Sequence, residues 1–410
     1  MHVVLLNQPF YPDVVATAQM GKDLADELVR RGHTVTAVAS RSIYGQTGAA
    51  LPKRETIDGI EVRRLGVSIF GKKGIAARVA DFALFHALAT VRVVTLKKPD
   101  VVVSYTTPPF IAVVGLIARL VRSSRAVYWV MDLYPDVPVA CGVMKERSLL
   151  TRMFERLSRM LLRRSDVSVV LGRCMQERVL SKGIPAEKVK LIPVWADLSG
   201  ISGVERDRSP YREKWGLGDA FTVMYSGNFG IGHDATTICD AMLRLKDRDD
   251  IKWVFVGSGK RKKEVLAFIE RHGLRNAQWR EYVPREELGL SLAAADVHLI
   301  SIKEGVEGLV VPSKLLGILA AGRASIYVGS PSAETARVLN ESGAGVCVRE
   351  GEGEKLAAAV LRYKDDPKLL AETGARARRE IAGKYDMQTA TKMWADLLED
   401  VVAKKKGAKR

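Results

Sequence analysis

Short apolar runs rich in β-branched residues recur along this chain, each followed by a longer stretch with helical spacing of its apolar side chains. That alternation constrains the fold more than any other feature. In the first half the runs are residues 3–6, 34–39, 101–104, 126–131, 167–171 and 189–192; in the second they are residues 221–225, 253–256, 297–302, 324–328 and 345–348. Strands that are apolar on both faces and alternate with helices belong to a parallel sheet covered on both sides. The 410 residues exceed what one such sheet needs, since a domain usually takes roughly 100–200 residues. Residues 201–218, rich in charge, Gly and Ser and holding Pro210, are the best linker in the chain. The expected fold is therefore α/β, two doubly wound parallel-sheet domains spanning residues 1–203 and 204–385. Residues 386–403 follow the second sheet and place Met393, Trp394, Leu397, Leu398 and Val401 on one side of a helix. This helix is expected to cross back and brace the first domain with Trp394 as its anchor, and residues 404–410 form a basic tail.

With 47% hydrophobic and 27% charged residues, the composition excludes intrinsic disorder. Cys141, Cys174, Cys239 and Cys347 make no CxxC pair, which argues against a structural zinc or a redox dithiol, and no metal site is expected. The opening MHVVLL has no basic leader, and Thr106-Thr107-Pro108-Pro109 interrupts the apolar stretch at residues 101–121. Neither a cleavable signal nor a spanning helix of ~20 residues is read here, so a cytoplasmic location is expected. The net charge of +17 is uneven. Residues 1–200 carry 29 Lys and Arg against 17 Asp and Glu, residues 201–403 carry 30 of each, and the tail adds five cations. A basic first half beside a neutral second half fits contact of the first alone with a polyanion or an anionic membrane. A solvated basic surface is the alternative that charge leaves open. Nucleic acid is not an expected partner, because aromatics are only 7% and no binding module for it is present.

In open parallel sheets ligands bind beyond the carboxyl ends of the strands, so the strand-to-helix turns are where chemistry belongs. The first turn, Asn7 to Asp13, lacks GxGxxG, which removes a dinucleotide fingerprint. Asp132, in Asp132-Leu133-Tyr134-Pro135-Asp136, sits at the end of a central strand, where a carboxylate can accept a proton from a hydroxyl. A turn aspartate capping the next segment is the plainer reading. In the second half, Ser226-Gly227-Asn228-Phe229-Gly230-Ile231-Gly232-His233-Asp234 puts three glycines within six residues, letting backbone N–H groups approach an anion. Gly257-Ser258-Gly259-Lys260-Arg261-Lys262-Lys263 repeats the design with cations, and together the two turns suggest a phosphate pocket. Pro312-Ser313-Lys314 opens an apolar helix. The unpaired N–H groups of that first turn, the helix dipole and Lys314 make an anion site. Glu307, just before it in a Gly-flexible loop, suits the hydroxyls of a sugar or ribose.

In their order and spacing these segments resemble the retaining glycosyltransferases of the GT-B type, family 4 (group 1). The resemblance covers almost the whole chain, through LADELVRRGHTVTAVAS, MDLYPD, KVKLIPVWAD, MYSGNFGIGHD, FVGSGKRKKEV, REYVPREELGLSLAAADVHLI and VPSKLLGILAAGR. It is closest to bacterial members that build surface polysaccharides, among them fucosamine transferases. The resemblance implies two Rossmann-like domains facing across a cleft, a nucleotide-sugar donor held mainly by the second and an acceptor held by the basic first. UDP is the expected nucleotide, as a co-substrate, and no cofactor is implied. By similarity Gly227, Asn228, Gly230, His233, Gly257, Gly259, Pro312, Ser313 and Leu315 belong to the donor site, with Arg261 and Lys314 on its diphosphate. Tyr282, Val283 and Pro284 would lie beside the base, the Val283 backbone reading it. Asp132 sits where many members place a His or Asp near the reacting sugar.

This chain also departs from the family. Many members carry two glutamates separated by seven residues, the second gripping the ribose; here those positions fall near Leu309 and on Gly317, and Glu307 would stand in for the first. The usual Arg and Lys of the second-domain glycine turn are Asn228 and His233. The implied reaction is metal-independent transfer with retention, in which Lys314, Arg261 and a helix terminus stabilise the departing diphosphate. Asp132, Glu307 and Lys314 form the implied catalytic set. Basic amphipathic stretches at residues 72–98 and 147–164, the latter with Met153, Phe154, Leu157, Met160 and Leu161 among arginines, predict peripheral attachment to the anionic inner face of the plasma membrane. A lipid-linked or glycan acceptor in surface polysaccharide or lipopolysaccharide synthesis would follow. The rivals are a nucleotide-sugar epimerase or hydrolase of the same fold that needs no acceptor, and a basic nucleic-acid-binding protein.

Overall fold

The computed structural model describes residues 1–13, 15–43, 50–66, 75–195, 201, 204–309, 314–382 and 384–407. The chain divides into two compact units, Met1–Pro193 with Gln388–Arg410, and Val194–Met387. This division precedes the one read after residue 203, and the charged segment expected to link the units is largely part of the second. Its helix Pro210–Lys214 is followed by Trp215 and Leu217, which with Tyr211 pack on Met224, Val254 and Val256. The buried Arg212 guanidinium donates to the carbonyls of Ala294 at 2.7 Å and Ala220 at 2.9 Å. Charge made this segment look like solvent-exposed linker; carbonyls from distant turns make it structural.

The first unit holds an eight-stranded sheet. Its strands are β1 (His2–Leu6), β2 (Thr34–Ser40), β3 (Arg54–Ile57), β4 (Ile60–Leu65), β5 (Val101–Ser104), β6 (Arg125–Val130), β7 (Val167–Val170) and β8 (Val189–Leu191), in the order 3-4-2-1-5-6-7-8. All neighbours are parallel except β3 and β4. That antiparallel hairpin turns on Asp58 and Gly59, with φ of 48° and 80°, the left-handed conformation a two-residue turn requires. It is absent from the apolar-run reading because Arg54, Glu55, Glu61 and Arg63 interrupt its pattern, and its charges pair instead, Arg63 with Glu61 at 2.6 Å. The helix Met387–Gly407 belongs to this unit. Trp394 is fully buried, its ring 4.2 Å from that of Trp129 on β6. Arg31 and His33, at the end of the helix Ala16–Arg30, hold Asp396 at 2.6 Å and Glu399 at 2.8 Å.

The second unit is a six-stranded parallel sheet of β9 (Phe221–Ser226), β10 (Ile251–Val256), β11 (Ala277–Arg280), β12 (Val297–Ser301), β13 (Ala324–Val328) and β14 (Gly345–Val348), in the order 11-10-9-12-13-14. The strand β11 escapes the apolar-run reading because it is a half-buried edge. Chain order reverses between β1 and β5 in the first unit and between β9 and β12 in the second. Those reversals place ligand crevices in sheets of this kind.

Candidate functional site

At the reversal in the second unit, the turn after β9 meets the start of the helix Lys314–Ala320 that follows β12. The glycines there admit protein atoms. A Cβ on Gly227, whose φ is +123°, would lie 2.6 Å from Cε of Lys314. One on Gly257 would lie 2.5 Å from the Gly227 carbonyl oxygen, and one on Gly259 would overlap the Phe229 backbone. Several turn amides are also engaged: Gly227 N–H donates to Val256 O at 2.8 Å, Phe229 N–H to Ser258 O at 2.7 Å and Gly257 N–H to Arg280 O at 2.8 Å. The expectation that these glycines open amides to an anion is corrected at Gly227 and Gly257, and the Phe229 amide between the turns is engaged too. They interlock the two turns and clear a channel for the lysine side chain. Gly230 lies in the same turn, where a Cβ would touch only the Asn228 amide nitrogen, at 3.4 Å.

Lys314 runs through that channel. Its ammonium donates to the Tyr225 hydroxyl, to the Asn228 carbonyl at 2.8 Å and to His233 Nε2 at 3.4 Å, and it lies 4.4 Å from the centre of the Tyr225 ring. The Tyr225 hydroxyl in turn donates to Asn228 O at 3.0 Å. Burial pulls the Lys314 ammonium down to about 7. Lys314 is thus a half-buried ammonium that already faces three protein acceptors. His233 Nδ1–H donates to the Ser301 carbonyl, which leaves Nε2 as the acceptor facing Lys314. Burial first, and the Lys314 charge second, push this imidazole down to about 4, so it is neutral at physiological pH. Asp234 accepts from the amides of Thr236 and Thr237 and caps the helix Thr236–Arg244.

The remaining donor-site residues scatter more widely. Arg261 bonds Glu264 at 3.0 Å, while its charge reaches the His233 ring. Tyr282 is exposed, with its ring edge close over Gly257, and Val283 packs against the Tyr211 cluster beside exposed Pro284. Leu315 is core: its side chain is buried with Leu316, so only its backbone is left for a donor. Glu307 is half-buried on the loop before Leu309. A Cβ at Gly317 would meet Leu292 at 3.3 Å, so the position the family gives to its ribose-gripping glutamate turns to an apolar neighbour. Pro312 and Ser313 lie outside the described residues. Tyr225 and Ser301, which hold the lysine and the imidazole, were not singled out from sequence. Their signal is weak, a polar residue closing an otherwise apolar strand.

In the first unit Asp132 follows β6, half-buried, and burial raises its carboxyl to about 6. The same unit exposes large apolar side chains among cations. On the neighbouring helices Ile75–Thr95, Ala112–Arg122 and Leu149–Arg164, Val91 is 64%, Leu120 83%, Leu149 83% and Met153 54% exposed. Among the described residues no cluster of His, Cys, Asp and Glu is placed to hold a metal ion, and no helix is long and apolar enough to cross a membrane.

Comparison with known proteins matches residues 17–195 to the profile "Glycosyl transferase 4-like domain" and residues 207–380 to "Glycosyl transferases group 1". The chain is similar to WbjE of Pseudomonas aeruginosa, named as a glycosyltransferase, at 28% identity over 275 residues, a segment covering 66% of each protein and so just under two thirds of WbjE. It is similar to WcaI of Escherichia coli (strain K12), named as a colanic acid biosynthesis glycosyl transferase, at 23% identity over 88% of this chain and 91% of that one. In fold it resembles sucrose-phosphate synthase of Thermosynechococcus elongatus, with a TM-score of 0.80, 14% identity and coverage of 98% and 99%. It also resembles Anabaena Alr3699/HepE, solved in complex with UDP-glucose, with a TM-score of 0.73, 16% identity and coverage of 98% and 100%. The two parallel-sheet units are those of the GT-B fold.

Proposed function

The chain belongs to the group 1 glycosyltransferases, and on that premise we propose that it moves a sugar, with retention, from a UDP-sugar held by the second unit to a lipid-linked or glycan acceptor held by the first. The half-buried Lys314 ammonium at the strand reversal carries this reading. As the sugar–phosphate bond breaks, negative charge grows on the diphosphate. A positioned ammonium partly shielded from water stabilises that charge more than solvent would. Lys314, with Arg261 nearby, supplies enough positive field for transfer without a divalent metal. Asp132, ionised above pH ~6, would accept a hydrogen bond from a hydroxyl of the sugar or acceptor. The UDP-glucose bound in the HepE neighbour supports UDP as the nucleotide, and the names of WcaI and WbjE support a place in surface polysaccharide assembly.

Screening UDP-sugars for protection against thermal unfolding identifies the donor, since a bound ligand raises apparent stability by mass action. With that donor, Lys314→Ala should lower turnover by about 100-fold or more, the scale for one preorganised charge donor. A near-wild-type rate would remove Lys314 from the reaction.

The acceptor side carries a second part of the reading, peripheral attachment to an anionic membrane. The exposed Leu149, Met153 and Met160 alternate with exposed Arg152, Arg156, Arg159 and Arg163 along one helix. That pattern suits apolar insertion below a layer of anionic headgroups. The protein should sediment with phosphatidylglycerol vesicles at low salt and be released by Leu149→Glu/Met153→Glu. Equal recovery in the supernatant with and without vesicles would refute attachment.

A further inference from the structure

The Lys314 ammonium has three N–H groups, and three protein acceptors already face it: the Tyr225 hydroxyl, the Asn228 carbonyl and His233 Nε2. A diphosphate oxygen can enter only by replacing one of them. The contact with His233 is the weakest of the three, at 3.4 Å, because it is the longest and is made to a ring nitrogen of a half-buried residue. Tyr225 is the poorest candidate to leave, since its own proton is committed to Asn228 O. The imidazole is held from two further sides. Ser301 O fixes the Nδ1–H tautomer, and the Phe229 ring stacks on it at 5.7 Å between centroids with an interplanar angle of 25°. Among the described residues the charged groups acting on His233 are Lys314 and Arg261, both cationic, and their field keeps a proton off Nε2.

We propose that His233 is a positioning residue for Lys314: its unprotonated Nε2 holds one ammonium N–H beneath the glycine turn and releases it to a donor phosphate oxygen on binding. The turn thus uses a neutral hydrogen-bond acceptor to hold the ammonium until a diphosphate oxygen takes that acceptor's place. This inference rests on the reading of the second unit as the donor site.

The test is a double-mutant cycle read by calorimetric titration of the 410-residue chain with UDP. His233→Asn keeps a group near Ser301 O and loses the acceptor at Nε2; because that contact is given up on binding, its loss should tighten UDP binding about fivefold to tenfold, the scale of one modest hydrogen bond. His233→Gln, whose amide oxygen reaches the Nε2 position, should cancel most of that gain. In a Lys314→Ala background His233→Asn should have no further effect, because the residue acts only through the lysine. Weaker binding by His233→Asn, an effect that persists without Lys314, or equal changes for Asn and Gln would overturn the proposal while leaving the donor site in place. If Lys314→Ala leaves UDP affinity unchanged, the donor-site reading itself fails. Should a variant not fold, nitrogen NMR of the wild-type imidazole decides: an Nδ1–H tautomer that stays neutral to pH 5 is required, and an Nε2–H tautomer refutes the assignment.

Discussion

Burial sets the Lys314 ammonium near pH 7 in the empty protein, so UDP binding should take up a proton. A diphosphate beside the amine favours its charged form, and the proton deficit of the free site must be made good on binding. At pH 8 only about one tenth of the free molecules carry the charge, so each binding event should consume ~0.9 proton. Above pH 7 each further pH unit adds about 1.4 kcal/mol to the cost of charging, which is a tenfold rise in Kd per unit. Between pH 8 and pH 9 the diphosphate of UDP stays fully ionised, its last phosphate proton leaving near pH ~6, and His233 is neutral throughout. Titration calorimetry in two buffers of different ionisation enthalpy gives the proton count directly, and Kd at the two pH values gives the slope. Lys314→Arg, whose guanidinium stays charged at these pH values, should bind without proton uptake and with a flat profile. A wild-type Kd that is constant from pH 8 to 9, or an uptake below about 0.2 proton, would refute the claim that a desolvated lysine receives the diphosphate.

Three further outcomes follow from the packing and the charges. Gly227→Ala puts a Cβ 2.6 Å from the Lys314 side chain at a φ of +123°; it should cost about 1–3 kcal/mol of stability and displace the lysine, lowering UDP affinity as much as Lys314→Ala does in parallel titrations. Asp132 titrates near pH 6 in the folded protein against 3.8 ordinarily, so donor turnover should fall as pH drops through ~6 while the carboxylate is protonated. The native state holds that proton more tightly, so the carboxylate weakens the fold above this range, and Asp132→Asn should be inactive yet more stable at pH 7 by ~1 kcal/mol or more; equal melting temperatures at pH 7 would contradict the burial argument. Trp394→Ala removes a fully buried indole packed at a tilt against Trp129 and should cost about 3–5 kcal/mol, seen as a lower denaturant midpoint; a loss under ~1 kcal/mol would mean the terminal helix is not an integral part of its unit.

The legible part of this fold is the part written in short-range pattern. Apolar runs on both faces of a strand announce a parallel sheet wherever they occur, and they located the central strands of both units within a residue or two. The same rule hid the β3–β4 hairpin, although Asp58-Gly59 is a strong turn signal, because Arg54, Glu55, Glu61 and Arg63 break the apolar runs on both strands. It misjudged the residues around Pro210 as well, since exposed and buried arginines look alike until their carbonyl partners are in place.

The donor turns divide along the same line. Glycines after β9 and β10 and a lysine opening the helix after β12 could be picked out as one constellation, because strand ends are where such a sheet binds ligands. Their roles could not. Gly227 serves a side chain 87 positions away, Lys314, and Lys314 answers to Tyr225 and His233, which lie 89 and 81 positions from it. Sequence determined by itself the two-sheet architecture and the family, since periodicity and motif spacing act over a few neighbouring residues. Only the tertiary structure decided which way the lysine points, which imidazole nitrogen is bare and how far each group is stripped of water. Desolvation and hydrogen-bond geometry depend on atoms brought together by folding, and no local pattern encodes them.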